Sequence, residues 1–175
     1  MRTICLILCL LAGLNSLQAQ TDSTYRRSDW GVFKHLDIAL GLHRNPSPTE
    51  SNSAYHGLEI SIWNSKDIRY MHAGSGTLYF SQELGVAQKQ FIHTSKAGVW
   101  LGVWGFTIGG EFKHYTNYKN QRLAFSPYFG IGNYPMRLTF GYDLMLLEED
   151  GLNLSKGNIS LSIAVFKLKG PTLKN

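Results

Sequence analysis

The sequence predicts an all-β fold, eight antiparallel strands closed up-and-down into a barrel, and three observations predict it. Eight segments place an apolar residue at every second position, the period at which side chains return to the same face of a strand, and no helical periodicity competes with them. The faces opposite those apolar residues are rich in glycine, serine and alanine and carry only a few charges, of both signs. The connections between segments also divide by parity into tight turns and longer polar loops. An antiparallel sheet with one apolar face closes either with that face inward, as in a soluble barrel, or outward, as in a transmembrane barrel with a polar lumen. Small residues suit a narrow interior, and a water-facing surface carries more Lys and Glu and less Gly, so the transmembrane arrangement is expected.

The first segment alternates Leu36, Ile38, Leu40 and Leu42 with Asp37, Ala39 and Gly41, and the second sets Leu58, Ile60 and Ile62 against Glu59, Ser61 and Trp63. In the third, Leu78, Phe80, Leu84 and Val86 oppose Tyr79, Ser81, Glu83, Gly85 and Ala87; the fourth ends in Val99, Leu101 and Val103 against Trp100, Gly102 and Trp104. The fifth sets Phe106, Ile108 and Phe112 against Thr107, Gly109, Glu111 and Lys113, and the sixth sets Phe125, Phe129 and Ile131 against Ser126, Tyr128, Gly130 and Gly132. The seventh runs Met136 to Leu146 on alternate positions, with Arg137, Thr139, Gly141 and Asp143 between, and the eighth places Ile159, Leu161, Ile163 and Val165 beside Ser160, Ser162 and Ala164. The polar faces thereby gather Asp37, Glu59, Glu83, Glu111 and Asp143 with Lys113 and Arg137 as a lumen charge network, and point Trp63, Trp100, Tyr79 and Tyr128 inward to plug the interior.

With the N-terminus on the periplasmic side, the odd connections lie outside. The first, HRNPSPTESNSAY, and the seventh, EEDGLNLSKG, are polar and fall there; the tight fourth and sixth, at Trp104-Gly105 and Asn133-Tyr134-Pro135, fall inside, while the second, around Ser65 to Gly76, is longer than the rule prefers. Aromatic residues near strand ends, Trp30, Tyr55, Trp104, Tyr115, Tyr118 and Tyr134, suit interfacial girdles.

Residues 1–19 have one basic residue, an apolar run from Ile4 to Leu14 and Leu17-Gln18-Ala19, the layout of a secretory signal peptide cleaved after Ala19. The expected organisation is therefore a signal at 1–19, an N-terminal periplasmic segment at 20–31, the barrel at 32–168 and a C-terminal tail at 169–175. Both cysteines, Cys5 and Cys9, fall in the signal, so the mature chain has no disulfide, thiolate nucleophile or cysteine-bound metal. The composition is 43% hydrophobic and 17% charged, which excludes disorder, and the net charge of +5 is scattered rather than gathered into runs, which argues against nucleic acid.

The export signal, the eight segments and the stretch RLAFSPYFGIGNYPMRLTFGYDL resemble the small eight-stranded outer-membrane barrels of Gram-negative bacteria. The resemblance implies a non-porin, non-enzymatic barrel in the outer membrane with a structural or surface-interaction role. Its implied partners are outer-membrane lipid and lipopolysaccharide, the barrel-assembly machinery, and a surface ligand at the loops around Arg44–Tyr55 and Glu148–Lys156. No cofactor is implied. Such barrels often finish on an aromatic residue, here Phe166, whereas this chain continues to Asn175.

Two constellations carry candidate chemistry. His43, His56, His93 and His114 fall toward one rim, where converging imidazoles bind zinc or copper; with no close-spaced pair among them, solvated rim residues are the plainer expectation. The run HTSKAG at 93–98 is similar to the HxSNxG-type signature of outer-membrane lipid A deacylases, which implies His93 as base, Ser95 as nucleophile and Glu83 or Glu111 as orienting acid. Lys96 stands where that family has Asn, and the plainer reading of the run is a polar outer loop. A soluble periplasmic barrel holding an apolar ligand, as lipocalins do, is the alternative in which the faces are reversed.

Overall fold

The structure, a computed structural model, describes residues 32–46, 54–68, 74–87, 90–148, 152 and 154–173. The expected signal and periplasmic segments, both cysteines and Trp30 lie outside these residues, as do 47–53 of the first connection. All described residues belong to one compact unit, Gly31–Asn175.

The segments with period-two alternation form strands β1 (Val32–Asn45), β2 (Tyr55–Ile68), β3 (Gly74–Ala87), β4 (Gln90–Val103), β5 (Phe106–Thr116), β6 (Gln121–Asn133), β7 (Met136–Tyr142), β8 (Leu144–Glu148) and β9 (Gly157–Leu173). Every neighbouring pair is antiparallel, β5 pairs with β6, and β1 pairs with β9, so the sheet closes on itself. β7 and β8 together form one stave, making the closed ring eight-stranded. No helix among the described residues is long and apolar enough to cross a membrane.

The ladders from β1–β2 through β5–β6 run in unbroken register. The closing ladder, β1–β9, contains three register shifts, between Lys34 and Leu36, Leu36 and Asp37, and Ile38 and Ala39. The seventh stave breaks at Asp143, whose N–H leaves the ladder to donate to the Lys156 carbonyl at 2.7 Å. Period-two reading runs straight through this break because Tyr142, Leu144 and Leu146 preserve the alternation on either side of it.

Three expected boundaries move. The long second connection contracts to 69–73, because pairing continues from Ser65 opposite Thr77 to Ile68 opposite Gly74. Residues 169–173 belong to the sheet rather than to a tail: Lys169 lies opposite Leu36 and Leu173 opposite Phe33, so β9 passes through Phe166 without ending there. HTSKAG is not a loop but part of β4, paired to β3 and β5 along its length. The tight fourth connection holds Trp104 and Gly105 at φ 53° and 81°, the paired positive values of a type I′ hairpin, whose twist matches the flanking strands. The third connection, 88–89, is as short as the inner turns although parity puts it outside, so loop length separates the two ends less cleanly than expected.

The faces divide sharply. Leu58 is 68% exposed, Ile108 66% and Phe129 68%, with Leu42, Leu84 and Leu101 beside them on the outer surface. Asp37, Glu59, Asp67, Glu83, Glu111 and Asp143 are buried, as are Lys96, Lys113, Arg122 and Arg137. The ring therefore buries every carboxylate whose side chain is described, with four cations among them, and exposes its apolar side chains, the reverse of a water-soluble barrel.

Candidate functional site

The site is the lumen, and the register builds it. Inward positions in adjacent strands bring Glu59 of β2 directly opposite Glu83 of β3. Two carboxylates facing each other in a ladder repel. One step further along the lumen, Lys96 of β4 reaches both: its Nζ lies 2.7 Å from Glu59 Oε2 and in contact with Glu83 Oε2. Lys96 also approaches His43 Nδ1 at 3.3 Å, while His43 Nε2 lies 2.7 Å from Asn45 Oδ1. An ammonium has only donors and a carbonyl oxygen only accepts, so these contacts fit the neutral imidazole with its proton on Nε2.

Beside this cluster, Lys113 of β5 bridges Glu111 Oε1 at 3.1 Å and Asp143 Oδ1 at 3.0 Å. The kink at Asp143 swings that carboxylate into the lumen, where Tyr115 donates to Oδ2 at 2.8 Å and Asn158 to Oδ1 at 2.8 Å. Each buried carboxylate here has cationic or hydroxyl partners, the condition under which buried charge is tolerated.

Toward the other end the lumen is aromatic. The Arg137 guanidinium carbon lies 4.7 Å from the ring centre of Tyr79, 5.2 Å from Trp63, 5.3 Å from Tyr128 and 5.5 Å from Trp100. Nη1 donates to the Tyr128 hydroxyl at 2.8 Å. The Tyr128 hydroxyl lies 3.3 Å from that of Tyr79, which donates to Glu111 at 2.5 Å. A cation within about 6 Å of several ring faces is held by their quadrupoles, more strongly where water is absent. The four aromatic residues expected to plug the barrel do so by caging a guanidinium.

At the opposite mouth sit the described residues of the seventh connection. Leu152 and Leu154 are buried against Tyr55, Ile92, Tyr115 and Ala124, and Arg122 Nη1 donates to their carbonyls at 3.2 and 2.9 Å. Asn45 donates to the Ser155 carbonyl at 2.8 Å. This corrects the expectation of a wholly polar contact loop over 148–156: Lys156 is exposed, but Leu152, Leu154 and Ser155 turn inward because the barrel end offers them an apolar seat.

All seven residues of the expected charge network are buried in the lumen, but they do not form one set of ion pairs. Glu59, Glu83, Glu111, Lys113 and Asp143 pair as described. Asp37 stands apart, with the Tyr134 hydroxyl 3.5 Å away, and Arg137 joins through tyrosines rather than through a carboxylate. Lys96, the cation that joins three strands, was missed in the sequence reading, although it shares the parity of Trp100 and hence its inward face. Arg122, Tyr55 and Tyr115 were missed for the lumen as well; both tyrosines are wholly buried rather than placed in an interfacial girdle, because their positions fall on the inward parity. Trp104 and Tyr118 are exposed as a girdle requires, and Tyr134 stacks on His35 with ring centres 5.0 Å apart.

The candidate catalytic set is not assembled. His93 and Ser95 lie on the outward face of β4, whereas Glu83 and Glu111 face the lumen on the other side of the barrel wall. The Ser95 hydroxyl donates to Gln82 Oε1 at 3.0 Å instead of to an imidazole. The four histidines are likewise dispersed: His43 is inside, His56 is exposed, and His93 and His114 are half-buried on the outer face, with His114 Nε2 3.3 Å from Gln121 Oε1. Among the described residues no group of three or more His, Cys, Asp or Glu is arranged to hold a metal ion.

Compared with protein-family models, curated proteins and solved structures, the chain matches none of them.

Proposed function

We propose that the chain is a small, non-porin, non-enzymatic outer-membrane β-barrel, exported by its N-terminal segment, with a structural or surface-contact role. The observation that carries this reading is the inversion of the faces: exposed Leu, Ile, Val and Phe around the ring, and charges within it. Strands β1 to β4 of 14 residues each support it, since about 9–11 tilted residues cross a bilayer. The caged Arg137 at one end and the buried Leu152 and Leu154 at the other support a closed rather than a conducting lumen. Contact with outer-membrane lipid and lipopolysaccharide, insertion by the barrel-assembly machinery, and a surface ligand at the outer connections belong to the same proposal.

The test is fractionation of the envelope followed by electrophoresis of detergent extracts with and without boiling. The expected result is a band in the outer-membrane fraction whose mobility shifts on heating. A chain that stays soluble without detergent and shows no shift overturns the reading in favour of a soluble ligand-binding barrel.

A further inference from the structure

We propose that the outward surface of β1 to β4 holds an anionic diacyl phospholipid, with its phosphate at Arg44 and His56; this rests on the membrane reading above. Two grooves open side by side on this surface. One, of about 650 Å³, is lined by Leu42, Leu58, Leu84, Val86, Phe91 and Leu161, with Arg44 and His56 at the end nearest the first connection. The other, of about 410 Å³, is lined by Leu40, Ile60, Gln82, His93 and Glu59, whose carboxylate turns into the lumen toward Lys96, and shares Leu58 and Leu84 with the first, so the two are continuous.

The register arranges polar groups along this path in the order a phospholipid presents them. Arg44 lies directly opposite His56, both exposed. Among the described residues neither side chain enters a hydrogen bond or ion pair. One step deeper, Leu58 lies opposite Leu84 and Leu84 opposite His93; one step further, Ile60 lies opposite Gln82 and Gln82 opposite Ser95. Gln82 accepts from Ser95 through Oε1, which leaves its amide N–H groups as donors within an apolar surface. A phosphate satisfies the paired donors at the rim, ester carbonyls accept from Gln82 and His93, and acyl chains cover the leucines.

Charge complementarity selects an anionic lipid. Every carboxylate whose side chain is described is buried in the lumen, while the exposed charges Arg44, Lys66, Lys119, Lys156, Lys167 and Lys169 are all cationic. Among the carboxylates whose side chains are described, none is outward to compete for Arg44.

The experiment is native mass spectrometry of the detergent-purified full chain titrated with dioleoylphosphatidylglycerol or with dioleoylglycerol, which lacks the phosphate. Wild type is expected to retain phosphatidylglycerol at least tenfold better than the diglyceride. R44Q/H56Q should lose that preference, Q82L should lose about threefold in retention of either lipid, and K119Q should retain the wild-type pattern. Equal retention of the two lipids by wild type, or an unchanged preference in R44Q/H56Q, overturns the site. The boiling shift is run on the same samples. A shift with undiscriminating retention removes the groove alone, whereas a wild type that is soluble without detergent and does not shift removes the membrane reading as well.

Discussion

Lys96 Nζ lies 2.7 Å from Glu59 Oε2 across an intervening strand, and the same ammonium touches Glu83, so one cation on β4 offsets a carboxylate pair built into the β2–β3 ladder. Lys96→Met leaves two like charges buried face to face. The expected loss is about 3–5 kcal/mol, the cost of stranding one side of a buried ion pair. Urea unfolding of the barrel in lipid vesicles measures it. The triple variant with Glu59→Gln and Glu83→Gln should recover most of the loss, and an unchanged midpoint for Lys96→Met would mean that the cluster is solvated.

The aromatic cage makes a separate prediction. Arg137→Met keeps length and apolar volume but removes the charge that four rings surround, so a loss of about 2 kcal/mol is expected, the value of a desolvated cation–π contact. Trp63 and Trp100 meet edge to face at 5.8 Å beside that charge, and their fluorescence should change with the substitution. An unaltered spectrum and midpoint would sink the cage as a stabilising element.

Surface substitutions separate a bilayer from water. Ile60→Lys or Phe80→Lys, each near the middle of its strand, places a charge on the exposed apolar band, and in a membrane should cost about 2–4 kcal/mol near the midplane. On a water-facing surface the same changes stay within about 0.5 kcal/mol. Unfolding free energies from vesicles decide between them.

Glycines on the inward face admit large neighbours. A Cβ at Gly85 would run into the Tyr55 ring, whereas one at Gly76, on the outward face, would meet only Leu101 Cδ2, at 3.3 Å. Gly85→Ala should therefore destabilise by about 1–3 kcal/mol, as overpacking does, and Gly76→Ala much less. Equal effects in chemical unfolding would refute this account of the lumen's packing.

Ser95→Ala should release fatty acid from an acylated lipid substrate no faster or slower than wild type. The Ser95 hydroxyl is engaged with Gln82, and the acids proposed to orient His93 lie on the opposite face of the wall. Wild-type turnover that disappears in the variant would restore the deacylase reading.

How much of this was legible is clearest residue by residue. Strand parity assigns Glu59, Glu83, Glu111 and Trp63 to the inside directly, because alternation needs no partner to be read. Lys96 carried the same parity but sat within a run that looked polar enough to be a loop; pairing on both edges makes it strand, and pairing is not a local property. The burial of Leu152 and Leu154 could not be read at all, since it depends on a barrel mouth formed by residues distant in the chain. The same holds for Arg137, whose partners come from β2, β3, β4 and β6, and which strand parity alone grouped with the carboxylates of the polar faces.

The joint between β1 and β9 gives the ring a hasp. Each other strand is tied to its neighbour by a short connection, so a parted ladder finds its partner again at little entropic cost. The first and last strands are tethered only through the whole of the barrel, and theirs is the ladder with three slips in register. The lumen, however densely bonded, holds the staves to one another only while that hasp is shut. It is the ladder whose pairing turns an open sheet into a ring with no free edge. An open sheet of this length would offer two unpaired edges to other chains, and the closed seam offers none.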